Sequence, residues 1–156
     1  MKSIRTESII QTLGQRLGLA LSFRQGVLIL LDEQERQWWI EDDEASGRLL
    51  IHTAIERHDE DDEAAGDPAA GERLAHWLAL NARPALLQGA WIGLDRATAT
   101  LRLYAALAEP YVDAARLDAR LRELGRLRRE LPLPPPRTRF RPQLVFPELL
   151  PEFRPA

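Results

Sequence analysis

Three histidines, His52, His58 and His76, are the side chains of this 156-residue sequence whose ordinary charge change falls near neutral pH. His58 stands amid Asp59, Asp61 and Asp62, residue types that could hold a metal ion loosely. The surrounding run from Glu56 to Gly71 is acidic and built of small residues, however, and like charges this dense repel one another and bury little. A solvated loop is the better reading. His52 lies in a strand-like run and His76 in a helical one, and both read as surface or internally satisfied residues. Asp42, Asp43 and Glu44 lead into Ala45-Ser46-Gly47 and read as turn formers. The sequence has no phosphate-cradling glycine loop and no zinc motif. It has no cysteine, which excludes a thiolate nucleophile, a disulfide and cysteine-ligated metal. No nucleophile with a base, no paired carboxylates and no ligand set are assembled, so neither an enzyme nor a cofactor is expected.

Two other groups invite a binding role. Arg116, Arg120, Arg122, Arg126, Arg128 and Arg129 crowd one helical stretch, the kind of basic cluster that contacts nucleic acid. Asp118, Glu123 and Glu130 interleave with them, the net charge is −3 and no nucleic-acid motif accompanies them. A solvated face with local ion pairs fits better; a regulatory or nucleic-acid adaptor using this helix is the alternative. Trp38 and Trp39 are adjacent in a strand, so their rings face opposite ways. One enters the core, and the other is solvent-facing, capped or part of a binding surface.

The elements that must position these residues follow from periodicity. Ile9, Ile10, Leu13 and Leu17 give a first helix its apolar face, with Ser3 or Thr6 as cap and Gly18 as C-cap. Val27-Leu28-Ile29-Leu30-Leu31, Gln37-Trp38-Trp39-Ile40 and Leu49 to Ile55 form a three-stranded antiparallel meander joined by polar turns. Leu74, Trp77, Leu78 and Asn81 recur at helical spacing in a second helix. Pro84 removes an amide and disfavours helical geometry at Arg83, which ends or kinks that helix near Ala82. Gly89 and Gly93 suit positive φ or close backbone approach. Strands through Trp91-Ile92-Gly93-Leu94 and Thr100-Leu101-Arg102-Leu103-Tyr104 flank the turn at Asp95-Arg96-Ala97-Thr98. Asp113 caps a third helix with Leu117, Leu121, Leu124 and Leu131 on its apolar side. The order αβββαββα predicts an α+β fold of helices on an antiparallel sheet.

Residues 1–131 suffice for one domain with a real core. Residues 132–156 form a tail holding eight of the eleven prolines, yet Phe140, Val145, Phe146, Leu150 and Phe153 make it too apolar for an ordinary linker. The reading for this tail is extended packing along its own domain or a partner subunit, covering apolar surface. The polar N-terminus lacks the apolar run of a signal peptide, and no stretch reaches the ~20 apolar residues of a membrane span. A cytoplasmic protein is expected, with no membrane or nucleic-acid partner.

The pattern Leu-x-Leu-Asn at 78–81, then Leu86-x-x-Gly89-x-x-Ile92-Gly93-Leu94-Asp95, then Leu101-x-Leu103 and a leucine-rich helix, resembles the class I type III secretion chaperones, the Tir chaperone (CesT) family. The resemblance spans roughly residues 3–130. It implies a chaperone without cofactor or ATP that holds the N-terminal segment of a secreted effector in extended form. Carried over, the effector-binding positions are Leu13, Leu17, Val27, Ile29, Leu31 and Trp38 or Trp39. It also implies a homodimer, with Leu74, Trp77, Leu78, Leu87, Trp91, Ile92 and Leu94 at the two-fold interface.

Overall fold

The computed structural model describes residues 4–57 and 68–134. Ser3, the acidic run around His58 and the tail from residue 135 lie outside the described residues. The chain begins with α1 (Ile4–Leu17), continues through β1 (Val27–Leu31), β2 (Gln37–Asp43) and β3 (Arg48–Arg57), and enters α2 (Pro68–Ala79). A 3-10 turn at Leu80–Ala82 and the single-turn helix α3 (Pro84–Leu87) lead to β4 (Trp91–Asp95) and β5 (Thr100–Ala108). A second 3-10 turn, Glu109–Tyr111, precedes α4 (Ala114–Glu130). The strands form one five-stranded antiparallel sheet in the order β1-β2-β3-β5-β4, so β1 and β4 are its edges. This is the α+β arrangement that the hydrophobic pattern predicts.

Strand alternation divides the sheet into two unlike faces. Leu28, Ile40, Ile51 and Leu103 face inward on consecutive strands and join Ile10, Leu13, Leu117 and Leu124 of α1 and α4 in one buried cluster. Fully burying such a side chain stabilises by roughly 1.5–3 kcal/mol, so this face drives folding. The opposite face carries Ile29, Trp39, His52, Tyr104 and Trp91, which are register partners across all five strands. Each of them except His52 keeps part of its surface exposed.

Several local readings are corrected. Thr6 is not a cap: it sits buried inside α1, and its hydroxyl donates to Glu109 at 3.3 Å. The acidic loop starts later than its composition suggests, because β3 runs on through Arg57. Glu56 is held there by Arg73 Nε at 2.7 Å and by the Trp77 indole N–H at 2.6 Å, which ties β3 to α2. Pro84 ends the second helical run and also starts α3, where a proline at the first position lacks only an amide that would have no helical partner. Asp113 caps α4 as its position implies, with its Oδ1 accepting from the Arg116 amide at 2.7 Å.

Candidate functional site

The two edges of the sheet differ. At β4, the Asn81 side chain accepts from the Ile92 amide at 2.7 Å and donates to the Ile92 carbonyl at 2.8 Å. A side-chain amide thus takes the place of a neighbouring strand at this residue and satisfies both outward backbone groups of Ile92. At β1, Val27 spends its amide and carbonyl on Arg24, at 3.0 and 2.9 Å. The antiparallel alternation then directs the backbone groups of Ile29 and Leu31 outward, and no described residue bonds to them. Their side chains are 45% and 66% exposed. An exposed, apolar, unpaired strand edge is a template for another strand.

Beside this edge lies a groove of about 540 Å³ between the end of α1, the end of β1, the β1–β2 turn and α4, with Leu17, Leu30, Leu31, Trp38 and Leu121 as its apolar lining. Asp32 fixes the turn. Its Oδ1 accepts from the amides of Gln34 and Arg36 at 2.9 and 3.0 Å, and its Oδ2 accepts from Arg36 Nε at 2.8 Å and the Trp38 indole N–H at 3.1 Å. Burial alone would raise this carboxyl, but the donors outweigh it and hold the pKa at about 2, first the indole and then the amides and guanidinium.

On the open face, His52 has both ring nitrogens engaged. Arg102 donates to Nδ1 at 3.2 Å, which leaves Nε2–H to donate to Glu41 at 3.0 Å. The ring lies against Trp39 and Tyr104, with centroids 5.9 and 5.2 Å away, and Arg102 covers the Trp39 ring at 5.6 Å. Burial lowers the His52 pKa; Glu41 opposes that shift and Arg102 adds to it. The row ends in Trp91 stacked on Tyr104 at 5.7 Å. Gly93 permits this stack, because a Cβ there would sit 3.1 Å from the Tyr104 ring.

The predicted effector-binding residues separate by exposure. Leu17, Ile29 and Leu31 are exposed and Val27 is half-buried, all of them at or beside the open edge. Leu13 is fully buried and belongs to the core; Trp38 is 4% exposed and packs mostly in the core, yet its side chain also lines the groove beside β1. Trp39 is the tryptophan of the outer face. The predicted interface residues divide likewise. Leu78 and Trp91 are exposed, and Leu74 and Leu94 are partly covered. Trp77, Leu87 and Ile92 are at most 2% exposed, so they support that surface from behind. The arginine helix is largely spent on the protein itself. Arg116, Arg120 and Arg128 donate to backbone carbonyls of Tyr111, Gln88 and Ala54, and Arg122 pairs with Asp118.

Sequence reasoning missed Asn81 as an edge clamp, Asp32 as the organiser of the turn and Leu121 as a groove residue. The signals were weak: an amide counted into the helical spacing of the second helix, an aspartate at a strand end, and a leucine credited to the core. Among the described residues no group of His, Asp and Glu could hold a metal ion, and no helix is long and apolar enough to cross a membrane.

Among the solved structures that share the fold are three complexes. One is the HopA1–SchA chaperone–effector complex, with 19% identity over 81% of this chain and 91% of that one and a TM-score of 0.61. Another is the ExsC–ExsE complex, with 18% identity over 82% and 94% and a TM-score of 0.63. The third is the ExoT–SpcS complex from Pseudomonas aeruginosa, with 17% identity over 84% and 100% and a TM-score of 0.56. No curated protein matches the sequence. The profile of the Tir chaperone protein (CesT) family matches residues 8–131, and the chain belongs to that family. It is the family that the Leu-Asn and Gly-x-x-Ile-Gly-Leu-Asp pattern resembles.

Proposed function

We propose that this protein is a cytoplasmic type III secretion chaperone that binds the N-terminal region of a secreted effector in extended form and keeps it soluble and competent for export. The observation that carries the reading is the unpaired β1 edge, with Ile29 and Leu31 exposed beside an apolar groove. A chain segment added at this edge gains main-chain hydrogen bonds, and its alternate side chains reach the groove on one face and Ile29 and Trp39 on the other. Ordering such a segment costs several kcal/mol, so apolar anchors on both faces are needed. Nothing in this role calls for catalysis, cofactor or nucleotide. The chaperone–effector complexes among the similar structures support an effector as partner. The protein works as a homodimer, with Leu78 and Trp91 at the centre of the two-fold contact, since two exposed apolar side chains there call for a cover.

Co-purification of a secreted protein by its N-terminal region, from a strain expressing the tagged chaperone, tests the reading. Leu31→Asp, which places a charge at the open edge without touching the core, is expected to abolish co-purification while the protein stays folded and dimeric. Undiminished capture by this variant would remove the β1 edge from the site. Trp91→Glu is expected to yield monomers by light scattering. An unmodified protein that is monomeric at concentrations on the order of tens of micromolar, roughly ten times a micromolar affinity, would refute the dimer.

A further inference from the structure

The groove beside β1 has a charge pattern opposite to that of the chain. Four arginines and three acidic residues line it, in a sequence whose net charge is −3. Most of those charges are already matched. Asp32 holds Arg36 at 2.8 Å, and Asp118 holds Arg122 at 3.1 Å with Arg16 nearby at 3.8 Å. Arg126 and Arg129 make no hydrogen bond or ion pair with any described residue, and they stand three apart on the α4 lip of the groove. Glu33, on the turn opposite, is the other lining charge with no such partner among the described residues.

Between the arginines and the apolar floor lies Gly125. A glycine inside a helix is destabilising by about 1 kcal/mol relative to alanine. Nothing in the packing demands one here, because a Cβ at this position would meet only the Arg129 guanidinium, at an ordinary 3.8 Å. What the missing side chain does is keep the groove floor open, one helical turn from Arg129 and next in sequence to Arg126.

We propose that this groove selects an extended segment with a large apolar anchor and an acidic side chain two residues from it, the anchor over Gly125 and Leu121 and the carboxylate against Arg126 and Arg129. The inference rests on the strand-addition reading above and names the chemistry of the segment that fits. In an extended chain, residues two apart lie on the same face about 7 Å from one another. A carboxylate two residues from the anchor therefore stays within reach of the long arginine side chains beside Gly125, where a Cβ would lie 3.8 Å from the Arg129 guanidinium. Partly exposed ion pairs of this kind, two together, correspond to a preference between roughly twofold and thirtyfold.

The test uses the full chain and fluorescein-labelled twelve-residue peptides of alternating Val and Thr with a central Leu, differing only in Glu, Gln or Lys two residues on either side of it. Fluorescence anisotropy is expected to rank the peptides Glu, then Gln, then Lys in affinity, with the spread shrinking at high salt. The double variant R126E/R129E is expected to reverse that order. Gly125→Leu, on a helix face with space for it, is expected to abolish binding of all three while the circular dichroism spectrum stays unchanged. Equal binding of the three peptides, with loss on Gly125→Leu, overturns the charge selection and leaves the groove as the site. No binding at all, or binding that Gly125→Leu does not affect, overturns the site together with the selection.

Discussion

Replacing Asp32 separates two jobs that one carboxylate performs. Its Oδ1 holds the turn through two amides, while its Oδ2 holds Arg36 and the indole of the buried Trp38. Asp32→Asn keeps the first pair and turns an amide N–H2 toward two donors in place of the second. The carboxyl sits at about 2 against an ordinary 3.8. At 1.36 kcal/mol per pKa unit this corresponds to about 2 kcal/mol of stability at neutral pH, with only slight screening since the side chain is 22% exposed. Asp32→Ala loses the turn bonds as well and leaves the Trp38 N–H unpaired, so its expected cost is about 3 kcal/mol. For a domain of this size that lowers Tm by roughly 6–12 °C. The sign with pH is fixed. A depressed folded pKa contributes stability above the ordinary carboxyl range, and that contribution is lost as pH falls through the folded value. Roughly half of the gap between wild type and Asp32→Asn is therefore expected to have vanished by about pH 3. Urea unfolding followed by tryptophan emission at the two pH values measures it. A gap below about 0.5 kcal/mol at neutral pH, the range of ordinary surface substitutions, or one equal at both pH values, would refute the account of Asp32.

Three further substitutions probe the other features. Asn81→Ala removes both bonds to Ile92 and is expected to cost about 2 kcal/mol in urea unfolding, at roughly 1 kcal/mol each, and to promote aggregation by exposing a second edge. Because the folded pKa of His52 is lowered, the unfolded chain takes up its proton first, so stability is expected to fall as pH drops below 6.5; His52→Gln should remove that part of the slope in a pH series of melting temperatures. Gly125→Ala is expected to raise stability by about 1 kcal/mol and yet weaken the anionic peptide probe, two readouts that would move together if the glycine were merely a defect.

The fold was legible because its signals are periodic. The continuous β-prone run of β1, the alternation of β5, the proline that stops α2 and the aspartate that caps α4 each state a backbone preference locally. The site was legible only in part. Leu13 and Leu17 share one helical stripe, and spacing alone cannot tell that α1 buries the first and leaves the second exposed at the groove. Trp38 and Trp39 presented the same ambiguity, resolved by the sheet's placing one ring toward the helices and the indole of that ring against Asp32. Asn81 was hidden for another reason: its role depends on Ile92, eleven residues away, and on β4 being an edge. No one-dimensional pattern carries strand order.

The clamp at one edge and the bare backbone at the other give the sheet a direction of growth. With Asn81 on the backbone of Ile92, a captured strand adds more readily outside β1, five strand steps from β4, which at about 4.8 Å per step is on the order of 24 Å. Each step also turns the strand by roughly 20–25°, so the newcomer would lie nearly crosswise to β4. A chain held at β1 therefore leaves the domain across its flank, and the Trp91 surface lies off its path. Perturbations so far apart, with no shared partner, are expected to be thermodynamically independent. The effects of Leu31→Asp and Trp91→Glu on folding stability should add in the double variant, and a clear departure from additivity would reveal that the two edges of the sheet communicate.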